Sequence, residues 1–164
     1  MKAMKKFLLI ISILKFAFIL LGFSFLIFAP LFTWKINETQ TFICNGYIAL
    51  FGGNFGNGEN SLAPVALIAF LLLTIALIWN IFFFIFNNIL KKEESKVFKL
   101  ISYLICIFEI TAGVMIYYSL FNFVAVNDYG STIPQYFHDT YFFTLSGSFV
   151  LIGGLLNTFE ILVL

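Results

Sequence analysis

The sequence contains no arginine: all nine of its basic residues are lysines. It therefore has no planar bidentate clamp for phosphate or carboxylate. Charge of either sign is scarce, at 10% of 164 residues, whereas a soluble domain carries about 25%. The formal net charge of +1 provides no electrostatic footprint for a nucleic-acid partner. The single histidine, His138, stands beside Asp139. That pair is half of a metal ligand set, and Cys44 alone does not complete it, so neither a metal nor a cofactor is expected. Catalytic clusters of His, Asp and Glu are missing, and the chain reads as a non-enzyme. Cys44 lies in the first loop and Cys106 inside an apolar stretch; depths so different do not suit a disulfide. The glycine-rich segment 52–60 lacks the lysine and following soluble helix of a phosphate-cradling loop.

What the sequence does contain is long apolar runs. Four of them, roughly 7–31, 63–90, 97–121 and 141–163, each reach the length of about 20 residues that a helix needs to cross the hydrocarbon core. Residues 1–164 read as a single integral membrane domain, an all-α, antiparallel four-helix transmembrane bundle. Lys2, Lys5 and Lys6 precede the first run, and Lys91, Lys92, Lys96 and Lys99 lie between the second and third. The excess of lysine at those two places puts both termini and the connection 91–96 in the cytoplasm, with loops 32–62 and 122–140 outside. The first run is too long for a cleaved signal peptide and is read as a retained anchor. Lysine-only basicity, 24 phenylalanines and many Ile and Asn point to an A+T-rich genome and a bacterial cell membrane.

In the first outer loop Phe32, Trp34 and Ile36 alternate with Thr33, Lys35 and Asn37, and Asn45-Gly46 is a turn signal. This pattern predicts a small outer cap built on a β-hairpin. Trp34, Tyr47, Phe51 and Tyr136 are its candidate contact surface. The second loop reads as an interfacial segment leading into the fourth helix.

Two runs carry an isolated charge at matched depth. Lys15 follows Lys6 by nine positions and Glu109 follows Lys99 by ten, which places them roughly 14 and 15 Å from the cytoplasmic face. Asn80 in the second run comes to a similar depth. Lys15, Asn80, Glu109 and Asn157 form a candidate intramembrane polar layer, in which Lys15 and Glu109 are expected to pair and Asn157 to approach from the cytoplasmic side. Glu160 is expected to be satisfied by water or by the N-terminal lysines. Such a layer either glues the bundle together or binds an ion or proton. Gly147 and Gly154, seven apart, share a helix face suited to close packing.

The layout of these runs, with the loop ending Tyr47-Ile-Ala-Leu-Phe-Gly-Gly53 and the span opening Pro64-Val-Ala-Leu, resembles small four-helix membrane proteins of low-G+C bacteria, a group that brings no activity with it. The topology is also similar to that of claudin-type tetraspans. Of their Trp-Gly-Leu-Trp stretch and paired cysteines, only Trp34 and Cys44 have counterparts here. The reading that follows is a non-enzymatic scaffold or accessory subunit for other membrane components, whose partners are the lipid bilayer and another membrane protein or a second copy. The alternative is a small transporter or channel using the polar layer.

Overall fold

The computed structural model describes residues 2–35, 41–55, 58–86, 96–127, 137–139 and 141–163. Four long helices dominate it: α1 (Lys2–Phe28), α3 (Pro64–Phe84), α4 (Lys96–Val126) and α5 (Phe142–Val163). Each is long and apolar enough to cross a membrane, and the chain is an all-α, multi-pass membrane protein.

The buried positions explain the packing. Along α1 the seam falls at Ser12, Lys15, Ile19, Gly22, Leu26 and then Ala29, and along α3 at Ala66, Ala69, Leu73, Ala76, Asn80 and Phe83, with Ile11 and Leu77 buried beside it. Along α4 the seam runs Phe98, Ser102, Ile105, Glu109, Ala112, Ile116, Ser119 and Phe123, with Cys106 and Gly113 buried beside it. On α5 the seam runs Ser146, Val150, Gly153, Asn157 and Glu160, with Gly147, Gly154 and Ile161 buried beside it. These spacings alternate between three and four residues, the repeat of helices that wind around one another with side chains interlocked. The opposite faces carry Ile78, Leu100, Ile107 and Leu155, all exposed, as a surface solvated by lipid tails requires.

Neighbouring helices are antiparallel. α1 packs most closely on α5, α5 on α4 and α4 on α3, while α3 closes the ring on α1 more loosely. α1 and α4 thus lie across the diagonal.

One end of the bundle is capped. Pro30 disfavours a helical conformation at the residue before it, and α1 stops at Phe28 rather than running to 31. Strand β1 (Pro30–Lys35) pairs antiparallel with β2 (Thr41–Asn45) on one side and with β5 (Phe137–Asp139) on the other. A short pair, β3 (Gly53–Phe55) and β4 (Gly58–Asn60), completes the cap. The expected hairpin is present, but Asn45-Gly46 is not its turn. Those residues instead lead into the short helix α2 (Gly46–Phe51), and the chain reverses between β1 and β2. The segment foreseen as interfacial before the fourth helix supplies β5.

Other ends of the apolar runs also shift. The third helix continues to Val126 rather than 121, because Asn127 there accepts from the Ser61 backbone N–H and donates to Ser61 O and Phe123 O. Asn122 Oδ1 accepts from the Val65 N–H at 3.1 Å, satisfying a donor at the start of α3 that has no partner within its own helix. Cys44, Ala49, Leu50 and Ala63 of the cap are fully buried and join the same core as Leu26, Leu73 and Ile116. The far end of the connection after α3, with Lys91 and Lys92, lies outside the described residues.

Candidate functional site: a buried polar network

The core repeat that packs the helices also delivers five polar side chains to one place. Lys15 (α1), Asn80 (α3), Glu109 (α4), Asn157 and Glu160 (α5) all occupy buried seam positions, and none is more than 3% exposed. Lys15 Nζ donates to Glu160 Oε2 at 2.6 Å and to Asn157 Oδ1 at 3.2 Å. Asn157 Nδ2 donates to Glu109 Oε2 at 2.8 Å, and Asn80 Nδ2 donates to Glu109 Oε1 at 2.6 Å. The result is one chain of contacts, Glu160–Lys15–Asn157–Glu109–Asn80, crossing all four long helices. Lys15 Nζ also lies 4.8 Å from the centre of the Phe83 ring, close enough for a cation–π attraction. Two buried acceptor-capable atoms in this region, Asn80 Oδ1 and Ser12 Oγ, have no hydrogen-bond partner.

The four residues expected in the polar layer are brought together, but the pairing differs from expectation. Lys15 does not meet Glu109; its counter-charge is Glu160. Topology is the first reason: α1 and α4 are parallel and therefore diagonal, whereas α5 is the antiparallel neighbour of both. Side-chain direction is the second. Helical side chains lean towards the N-terminus of their own helix, so Lys15 leans towards the end where α1 begins. α5 runs the other way, and Glu160 leans towards the cap. The two tips converge across the interface although their Cα atoms are not level. Glu160 is consequently buried rather than solvated, and among the described residues the cation it meets is Lys15. Its signal in the sequence is its spacing, since it continues the repeat Val150, Gly153, Asn157 by three.

Close helix approach fixes this register. Gly22 faces Val150 and the Ser146 carbonyl, and a Cβ built on Gly22 would lie 2.6 Å from Val150 Cγ2 and 2.9 Å from Ser146 O. Ser146 Oγ donates to Gly22 O at 2.7 Å. Gly147 and Gly154, expected to share a face, both turn towards α4, where Tyr117, Ile110 and Glu109 meet them. Interhelical contacts of this kind, made through small residues and hydroxyls, hold membrane bundles together.

On the cap, Tyr47 is 58% and Phe51 47% exposed, their rings 5.4 Å apart. Phe51 continues an aromatic row through Phe70 to Phe23. Trp34 takes its place in β1 opposite Phe42 and Phe137, and Tyr136 lies outside the described residues. His138 pairs through its backbone register with Thr33. Among the described residues no group of three His, Cys, Asp or Glu is arranged to hold a metal ion.

Both cysteines are free and buried. Burial pushes the Cys44 thiol well above its ordinary range, and only the thiolate is an effective nucleophile. Cys44 in the folded protein is therefore expected to resist a maleimide at pH 7.5 and to react after denaturation. Mass spectrometry of the labelled chain checks this, and rapid labelling of the native protein would contradict the buried placement.

Compared with known proteins, the chain matches no family model, no curated protein and no solved structure.

Proposed function

We propose that this chain is a non-enzymatic cell-membrane protein that scaffolds or accompanies other membrane components, with both termini and the connection 91–96 in the cytoplasm and the cap outside. The observation that carries the reading is that the polar side chains of the network are buried while aromatic side chains of the cap are exposed. The polar network is turned inward and spans all four long helices, which suits a role in fixing register. The cap turns Tyr47, Phe51 and Ile43 outward while its Cys44, Ala49 and Leu50 anchor it to the core. Exposed aromatics on a small, well-anchored platform are suited to contact with a partner. The orientation is supported by the lysines in the first turns of α1 and around the start of α4, which favour the cytoplasmic side.

Two measurements test the reading. Single cysteines at Asn54 and Lys96, in a chain with Cys44 and Cys106 replaced by Ala, should differ in intact cells. Asn54→Cys should label with an impermeant thiol reagent and Lys96→Cys only after lysis; the reverse pattern overturns the orientation. A photo-crosslinking residue at Tyr47 or Phe51 should give the same discrete protein adduct at both positions, and only lipid adducts at Ile107. Absence of any cap adduct, together with pH-dependent ion flux in liposomes containing the purified chain, would reject the scaffold reading in favour of a small transporter.

A further inference from the structure

The network contains two carboxylates and one ammonium. With all three ionised, a sealed region between apolar helices would hold one uncompensated negative charge. Ion burial in a membrane interior is costly unless paired. Lys15 compensates Glu160 directly, at 2.6 Å. Glu109 receives only two amide donors, Asn80 and Asn157. We propose that the network binds one exchangeable proton per chain, held on the Glu109 carboxyl.

The geometry around Glu109 suits a proton better than a metal cation. Its two oxygens already face amide N–H groups at 2.6 and 2.8 Å, and those donors present positive hydrogen to whatever sits on the carboxylate. Hard cations require six or more oxygen ligands, and among the described residues the buried side-chain acceptors without a partner are Asn80 Oδ1 and Ser12 Oγ. The groove between α1 and α3, lined by Ile13, Phe16, Ile81, Phe84 and Ile85 and holding about 230 Å³, has an entirely apolar lining and offers no ligand.

Asn80 serves both charge states from one position. It presents Nδ2 to the ionised carboxylate. Turned by half a rotation about its amide, it presents Oδ1, the atom now without a partner, to a carboxylic O–H. The 2.6 Å separation lies within the usual range for an O–H···O bond. Protonation thus adds one proton from the aqueous phase to Glu109 Oε1 and breaks no covalent bond. The other groups that face this carboxyl are Lys15 from α1, Glu160 from α5 and Cys106 on α4 itself; α3 contributes no titratable group, only Asn80. The inference does not rest on the scaffold reading, since a register-fixing core and a transport site would both have to balance the same charges.

The test is infrared spectroscopy of the purified full chain in detergent at pH 7, in sodium-free buffer and again with added sodium. The carboxylic C=O stretch should correspond to one protonated side chain per protein. It should vanish in Glu109→Gln, where Lys15 and Glu160 balance, and also in Glu160→Gln, where the remaining Glu109 carboxylate balances Lys15. Glu109→Gln copies the shape of the neutral acid and should fold with an unfolding temperature close to the parent. The proposal is overturned by any of four results: no such band in the parent, a band that survives Glu109→Gln, a band removed by sodium at constant pH, or failure of Glu109→Gln to fold. Persistence of the band in a folded Glu160→Gln would equally refute the charge balance, and should that variant not fold, the parent and Glu109→Gln decide alone.

Discussion

Replacing Lys15 with Met is expected to destabilise the bundle by about 3–5 kcal/mol, the usual cost of removing one partner of a buried ion pair. Among the described residues Lys15 is the only cation in a network with two carboxylates, and it is 1% exposed. Its loss leaves Glu160 without the 2.6 Å contact and Asn157 Oδ1 without its donor. Glu160→Gln should cost less, because Gln still accepts from Lys15 and the Glu109 carboxylate compensates through Asn157. The double variant Lys15→Met/Glu160→Gln should be clearly less damaged than the sum of the singles, since no lone charge remains between these two positions. Lys15→Met combined with Glu109→Gln should show weaker coupling, because those side chains touch only through Asn157. Unfolding of all the variants in one detergent decides the matter. Stronger coupling of Lys15 to Glu109 than to Glu160 would contradict the diagonal placement of α1 and α4.

The second large effect is expected at Gly22. An added methyl meets Val150 Cγ2 at 2.6 Å and the Ser146 carbonyl at 2.9 Å. The side chain can move; the backbone oxygen belongs to α5 and moves only with its helix. Gly22→Ala should cost about 2 kcal/mol and Gly22→Val about 3 kcal/mol or more, the range of overpacking in a tight core. Each also pushes Ser146 Oγ from Gly22 O, now at 2.7 Å. Val150→Ala placed in the Gly22→Ala background should restore part of the loss, because it relieves the closer of the two clashes. Full restoration would mean that the Ser146 carbonyl is not a wall, and no loss at all in Gly22→Ala would mean that α1 and α5 do not approach as described.

How much of this was legible beforehand differs from element to element. The four spans were readable because their length and lack of charge follow directly from the thickness of the membrane core. Lys15 and Glu109 stood out because an ionisable residue is conspicuous amid apolar ones, and counting along a helix gives depth. Asn80 and Asn157 followed from the same counting. Depth alone places Glu160 near a helix end, where a charge is cheap, and so does not reveal its burial. Its seam position is written in the spacing Val150, Gly153, Asn157, Glu160, a periodic signal that a reading by depth does not use. In the first loop, alternation of apolar and polar residues pointed to a hairpin, yet the Asn45-Gly46 turn signal was overridden. There β2 passes straight into α2, whose Ala49 and Leu50 bury themselves in the core.

A multi-pass helical protein, the polar positions within its spans and strand formers after the first span can all be read from the residues in order. These are properties of single segments, governed by local transfer and conformational energies. Which polar residues touch is settled by the assembly of the helices. That choice depends on the cyclic order of the helices and on the opposite lean of side chains from antiparallel neighbours, and neither is a property of any segment taken alone.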